Sequence, residues 1–232
     1  MELIYNYYSI DIFYMFKKKI NPTQNYQDKI TNFILGHEIN KKNINILEFG
    51  VREGRSTKMF LDICAKNQGK LISVDIEDYS GLFNDNNWTF LKTRDDDYEK
   101  VSSYFSEDFD IILIDSLHEP NHVSKLIYTY WKHLKLNGSL YIDDISWLPY
   151  MKNSWRDHEY TENINRDTFN KILEIQLSNY DNINLTVSFS GSGMCRIIKQ
   201  NNKALNKPKL MKPREDYIKK NLKKIISLFK KA

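Results

Sequence analysis

The spacing of apolar positions changes period repeatedly along the chain, and the changes define its elements. Residues 26–36 put Ile30, Phe33, Ile34 and Leu35 on one side of a helix. An apolar run, Ile44 to Phe49, breaks at Gly50, and Gly54 comes four residues later. Ser56 and Thr57 then open an amphipathic segment, Lys58 to Lys66, so this stretch reads as strand, tight glycine turn and helix. Short strands are predicted over Leu71–Val74, ending in Asp75, and over Trp88–Leu91. A helix is expected from Asp97 to Phe105. Phe109–Ile114 is apolar throughout except Asp110, the pattern of a central parallel strand buried on both faces. A helix from His122 to Leu136 should close at Asn137-Gly138. Ser139–Ile142 is the fifth strand, ending in Asp143-Asp144. A polar and aromatic loop covers 145–162, and a helix covers Asn163–Asn179. Ile183–Phe189 and Met194–Lys199 flank Gly191-Ser192-Gly193 as an antiparallel hairpin. This alternation implies an α/β fold: a seven-stranded, mostly parallel sheet with helices on both faces and a terminal hairpin.

Pro208 and Pro213 punctuate the segment after the last strand. Residues 214–231 form a basic amphipathic helix whose apolar stripe is Ile218, Leu222, Ile225, Ile226 and Phe229. At 232 residues the chain suits one domain with appendages. We expect an N-terminal arm and helix over 1–36, a main domain over 37–200 and a basic helical extension over 201–232. Charge is divided the same way. From Lys203 onward there are eleven Lys/Arg and two Asp/Glu, a net of +9 in a chain of net +4, so the remainder carries −5. The stripe can pack on the domain or on a second subunit. Contact with an anionic membrane or nucleic acid is the alternative. The aromatic N-terminal arm (Tyr5, Tyr7, Tyr8, Phe13, Tyr14, Phe16) suits docking or a homodimer contact. Two cysteines, Cys64 and Cys195, are too few for a disulfide framework and fit a reducing, cytoplasmic setting. No apolar run reaches membrane-spanning length, and no leader pattern is read at the N-terminus.

The chemistry concentrates at strand ends, where open parallel sheets bind ligands. The first turn is not a dinucleotide fingerprint, because its middle position is Arg52 and Glu48 precedes the first glycine by two residues. A carboxylate there repels a pyrophosphate and suits a ligand bearing an ammonium or sulfonium group. Glycines at 50 and 54 permit a positive φ or close approach of a ligand to the backbone. The helix after the turn offers free N–H groups. Asp75, at the end of the second strand, can accept both hydroxyls of a ribose. It can equally be a turn aspartate. Asp115, Asp143 and Asp144 end the fourth and fifth strands, and three hard oxygen donors suit Mg²⁺, Mn²⁺ or Ca²⁺ rather than zinc.

The pattern E-x-G-x-x-x-G-x-S-T over residues 48–57 resembles motif I of class I S-adenosylmethionine (SAM) methyltransferases. It is closest to the small-molecule branch with the macrocin-type and cephalosporin-hydroxylase-like families. Ile-Asp-Ser-Leu-His-Glu-Pro after the fourth strand and Tyr-Ile-Asp-Asp-Ile in the fifth resemble the metal-dependent catechol-type and macrocin-type O-methyltransferases. The resemblance covers roughly residues 44–199. It departs at Ser116, where relatives often carry Gly, and at Arg52. It implies a Rossmann-like fold and SAM as cofactor, with Glu48, Gly50, Gly54, Ser56, Thr57, Asp75 and Asp95 as cofactor-binding residues. Asp95 is the adenine candidate; the acidic run Asp95–Asp97 equally suits a helix N-terminus. It also implies Mg²⁺ or another divalent cation on Asp115, Asp143 and Asp144. Asp115 and His118 are the catalytic candidates, with His118 as base or as a residue that structures the loop. His122 and His133 read as surface or packing residues. Trp147, Tyr150, Trp155, His158 and Tyr160 make loop 145–162 a candidate lid over the acceptor. The expected reaction is methylation of a hydroxyl on a small molecule or glycan. An RNA methyltransferase using the basic tail is one alternative. The Asn/Asp-Pro-Pro-aromatic motif of amino-directed enzymes is absent, so a nucleic-acid partner is not expected. A catalytically silent SAM-fold binding protein is the other alternative. The acceptor itself is not encoded in any motif.

Overall fold

In the computed structural model, the described residues are 33–147, 159–189 and 192–211. The expected N-terminal arm, most of the lid loop and the basic helix over 214–231 lie outside them. A short helical segment over 33–38 leads into the sheet. Next in the chain are β1 (Asn45–Phe49), α1 (Arg55–Asn67), β2 (Lys70–Asp75), β3 (Trp88–Lys92), α2 (Tyr98–Ser102) and β4 (Phe109–Ile114). Then come α3 (Pro120–Tyr130), β5 (Leu134–Asp143), α4 (Glu159–Ser178), β6 (Ile183–Ser188) and β7 (Met194–Lys199). The seven strands form one sheet in the order β3-β2-β1-β4-β5-β7-β6. β1 to β5 are parallel, and β7 pairs antiparallel with both β5 and β6.

Strand alternation divides the core between the two faces of the sheet. Leu47, Phe49, Ile112, Ile114, Leu140 and Ile142 share one apolar cluster with Val123, Leu126 and Ile127 of α3 and Ile172 and Ile175 of α4. Ile46, Ile111, Leu113 and Tyr141 face the other way, onto Met59, Phe60, Ile63 and Cys64 of α1 and onto Ile34. Both faces of β1 and β4 are therefore buried, which is why most positions of those strands are apolar. Each fully buried Leu, Ile or Phe contributes about 1.5–3 kcal/mol relative to exposure. The parallel strands bring the carboxyl ends of β1, β2, β4 and β5 to one rim.

Several elements differ from the pattern-based expectation. The helix expected over His122–Leu136 starts earlier, with Pro120 in its first turn, and stops at Tyr130. A 3₁₀ turn, Trp131–His133, comes next, and Leu134 already pairs with Phe109. Asn137-Gly138 is therefore not a helix cap. It lies in an irregular stretch of β5, where Asn137 takes φ 60° and the register with β4 shifts between Phe109 and Ile111. The turn signal was real, but it serves a strand. Buried Lys199 draws the change of element tight by donating to the carbonyls of Trp131 (3.2 Å) and Leu134 (2.6 Å). α2 is shorter than Asp97–Phe105, and Asp97 is its N-cap, accepting from the Lys100 amide. α4 begins at Glu159 rather than Asn163. After β7 the chain turns back over α3 and α4. The Lys203 carbonyl accepts from Trp131 Nε1, the Asn206 carbonyl accepts from Tyr128 Oη, and the Asn206 amide donates to Asn179 Oδ1.

Candidate active site

The turn after β1 is built around one close approach. Gly50 has φ 94°, and a Cβ there would stand 2.1 Å from the carbonyl oxygen of Asp115. Only glycine lets the β1 turn pass this close to the end of β4. The approach is tied by two backbone bonds of 2.9 Å, from the Gly50 amide to Val74 and from the Asp115 amide to Phe49. Gly54 (φ 70°) is the N-cap of α1 and offers no side-chain cap. A Cβ on Gly54 would meet the Phe83 ring at 2.8 Å. The first amides of α1 thus carry the positive end of the helix dipole toward this turn.

Asp75 closes the same turn. Its Oδ2 accepts the Val51 amide at 2.8 Å and the Arg52 amide at 3.3 Å, and Oδ1 accepts the Glu77 amide at 3.0 Å. An ionised carboxylate has about four acceptor sites, so capacity remains for a sugar hydroxyl. Glu48, Ser56 and Thr57 lie deeper. All three are buried, and Glu48 is wholly enclosed. Its Oε2 accepts from Thr57 Oγ1 (2.7 Å) and Ser73 Oγ (2.6 Å), while Oε1 makes no hydrogen bond. Burial pushes the Glu48 carboxyl up to about 7, opposed by the hydroxyls of Ser56, Ser73 and Thr57. Glu48 and Thr57 therefore brace the turn from beneath, joining β1, α1 and β2.

Asp95 is drawn into a cluster the sequence did not signal. Its Oδ2 accepts from Ser116 Oγ and from His122 Nε2 (2.9 Å), and its carbonyl accepts from Tyr130 Oη (2.8 Å). His122, read as a surface or packing residue, is thus the hydrogen-bonded partner of Asp95. The signal available was helical: His122 and Tyr130 lie eight apart and share a face of α3. This is not a nucleophilic triad, because both Ser116 and His122 bond to the carboxylate and not to each other.

On the acceptor side, Asp115, His118 and Asp144 converge. His118 Nε2 is 3.6 Å from Asp115 Oδ1 and 3.5 Å from Asp144 Oδ2. The His118 Nδ1 atom is buried and makes no hydrogen bond, so the ring's polar contacts run through Nε2. Asp144 reaches the cluster by adopting φ 55°. Asp143, the neighbouring residue and the last of β5, is wholly buried. Among the described residues no group of three or more His, Cys, Asp and Glu side chains is placed to hold a metal ion. One oxygen of Asp115 and one of Asp144 each lie within 3.6 Å of His118 Nε2, a donor number Mg²⁺ accepts when water or substrate completes its shell.

Trp147 does not stand open over the site. It packs on Phe169 (4.9 Å between ring centroids) and Phe189 (5.6 Å). Tyr160 is exposed on the first turn of α4. Tyr150, Trp155 and His158 lie outside the described residues.

Comparison with known proteins fits this geometry. Residues 47–145, from β1 to just past β5, match a family described as a methyltransferase domain. No curated protein sequence matches the chain. Among solved structures, the MycE methyltransferase of the mycinamycin biosynthetic pathway, in complex with Mg, S-adenosylhomocysteine (SAH) and mycinamycin VI, superposes with a TM-score of 0.57 at 18% identity. That match covers 83% of this chain and 54% of MycE, so the chain spans about half the length of MycE. A putative caffeoyl-CoA O-methyltransferase from Staphylococcus aureus gives a TM-score of 0.56 at 16% identity, covering 82% of this chain and 90% of that one. A putative rRNA methylase from Clostridium thermocellum gives 0.51 at 13%, covering 76% and 96%. At such identities the likeness is one of fold. Residues 47–145 thus match a methyltransferase domain, and the sheet has the Rossmann-like fold of the methyltransferase structures it resembles. Among the described residues, no helix is long and apolar enough to cross a membrane.

Proposed function

We propose that this domain transfers the methyl group of SAM to a hydroxyl of a small molecule or sugar. The observation that carries the reading is the convergence of Asp115, His118 and Asp144 beside the Gly50 turn. In the proposed site, Asp75 receives the ribose hydroxyls. The Gly50–Gly54 turn, with the α1 amides, holds the rest of the donor over Glu48, Ser56 and Thr57. Asp95 lies at the adenine end of that track. The acceptor hydroxyl gives its proton to His118 Nε2, and the two carboxylates stabilise the imidazolium that forms. The oxygen lone pair then forms the O–CH₃ bond as the S–CH₃ bond breaks, and the sulfonium becomes a neutral thioether. In-line alignment supplies much of the acceleration.

Divalent-metal assistance is the finer part of this proposal. It is supported by the oxygen donors of Asp115 and Asp144 and by the Mg in the MycE complex. When bound there, the ion would favour the deprotonated hydroxyl and orient it. The test is transfer of isotope from labelled SAM to a panel of diols, phenols and sugars, with Mg²⁺ and after chelation. Activity on one such class, lowered about 100-fold or more in His118→Ala, is the expected result. Transfer to RNA instead would favour the second reading, which rests on the net +9 of the tail. SAM binding without transfer to any acceptor would favour a silent binding protein.

A further inference from the structure

Two donors on one face of α4 reach across to the two loops that make the acceptor-side cluster. Thr168 Oγ1 donates to the backbone carbonyl of His118 at 2.7 Å. Asn165 Nδ2 donates to the backbone carbonyl of Ser146 at 2.9 Å. Thr168 is fully buried and Asn165 is 2% exposed. The two residues are three apart, so they lie side by side on one face of the helix. Their targets belong to different strand ends. His118 sits on the turn after β4 that also carries Asp115. Ser146 lies two residues beyond Asp144 on the turn after β5.

Neither turn is held at these carbonyls by the sheet ladder, since β4 ends at Ile114 and β5 at Asp143. Ser146 is held on its other side by its amide, which donates to Ser192 at 2.8 Å. Gly193 fits against it so closely that a Cβ there would come within 2.6 Å of Ser146. The β5 turn is therefore fixed between the hairpin and α4. The β4 turn is tied to α4 through Thr168. A buried donor whose acceptor shifts away loses a desolvated hydrogen bond, so the pair resists independent movement of the two loops.

We infer that Thr168 and Asn165 are positioning residues: α4 acts as a template that sets the spacing between His118 and the Asp144 carboxylate. The inference rests on the methyl-transfer reading for its catalytic meaning, but the geometry it describes can be measured without an acceptor. Methyl transfer is sensitive to this spacing, since a misplacement of about 1 Å can cost about 100-fold in rate.

The experiment uses the full-length protein with isotopically labelled histidine. The His118 ring signals are assigned by their loss in His118→Gln. Thr168→Val keeps the shape of the side chain and removes the donor; Thr168→Ser keeps the donor. The inference expects the His118 ring resonances to shift in Thr168→Val and to return toward wild type in Thr168→Ser. SAM affinity, measured by calorimetry, should stay within about twofold of wild type in both, because the donor turn is braced by Glu48 and Asp75 on the far side of β1. Asn165→Ala should give a second, independent shift of the same resonances. Ring signals that superimpose on wild type in Thr168→Val and Asn165→Ala would overturn the inference. So would a shift that Thr168→Ser fails to reverse. If the wild-type protein does not bind SAM at all, the methyl-transfer reading fails, while the ring signals still decide the positioning role.

Discussion

Glu48 is a carboxyl placed where water cannot solvate its charge, and its titration should be visible in the stability of the fold. Burial raises it from an ordinary 4.5 to about 7. Below about 4.5 the folded and unfolded chains both hold the proton. Between 4.5 and 7 the unfolded chain releases it while the folded one keeps it, so stability falls as pH rises through that window and levels off above it. The full change corresponds to about 3 kcal/mol. Glu48→Gln mimics the neutral form, so we expect wild type to lose up to about 3 kcal/mol relative to the variant between pH 5 and pH 8. Urea unfolding across that range measures it, and parallel pH curves for the two proteins would refute it. The sequence showed Glu48 as an acid at a strand end and Asp75 as its counterpart. It did not show that Glu48 turns under α1 while Asp75 turns to the rim. That outcome depends on register, since Glu48 pairs with Ser73, two residues short of Asp75 on the same face, and on the turn at Gly50, which passes the carbonyl of Asp115, sixty-five residues away. The Asp95–Ser116–His122 cluster was hidden for a similar reason, because it joins two loops and a helix that only the folded sheet brings together.

At the scale of elements, the leading helical segment is locked to the sheet by a buried charge. Glu38 is wholly buried, and its Oε1 accepts from Ser139 Oγ (2.6 Å), Tyr141 Oη (2.7 Å) and Arg196 Nη2 (3.0 Å). Oε2 pairs with Lys41 at 2.6 Å. Burial alone would raise this carboxyl, but the Lys41 charge and the hydrogen bonds from Lys41, Ser139 and Tyr141 outweigh it and hold it below its ordinary value. Glu38→Ala would leave Arg196, 12% exposed, beside β5 without its counter-charge. We expect a loss of about 3 kcal/mol, read as a lower denaturant midpoint with an unchanged slope. A change below about 0.5 kcal/mol would show the pair to be dispensable. Long periodic elements were the legible part of this fold. All seven strands and the helices α1, α3 and α4 are visible in the apolar spacing. The boundaries at Tyr130 and Leu134 are not, because helix, 3₁₀ turn and strand succeed one another with no polar break, and the fixing contact is Lys199 from β7.

Across the whole molecule the sheet separates two tasks. β1, β2 and α1 carry the turn proposed to hold the donor, with Asp75 and Glu48. The ends of β4 and β5, spanned by α4, carry Asp115, His118 and Asp144. The two halves meet where Gly50 passes against the Asp115 carbonyl. Substitutions in the two halves should therefore act on different constants. Asp75→Asn keeps one oxygen to accept the Val51 amide but removes the charge offered to a ribose. A hydrogen bond to a charged group contributes about 1.5–3 kcal/mol, so the Kd for SAM should rise about 10- to 100-fold. At saturating SAM, kcat should change little, because that contact is equal in ground and transition states. His118→Ala should do the reverse, leaving the Kd for SAM within about twofold and lowering kcat. Calorimetry gives the first constant, and single-turnover transfer of labelled methyl to whichever hydroxyl acceptor the wild type uses gives the second. If both substitutions weaken SAM binding and slow transfer together, the two tasks are not divided along the sheet. The base would then have to be sought on the donor side, where the Asp95–His122 pair is the remaining buried imidazole–carboxylate contact at this rim among the described residues.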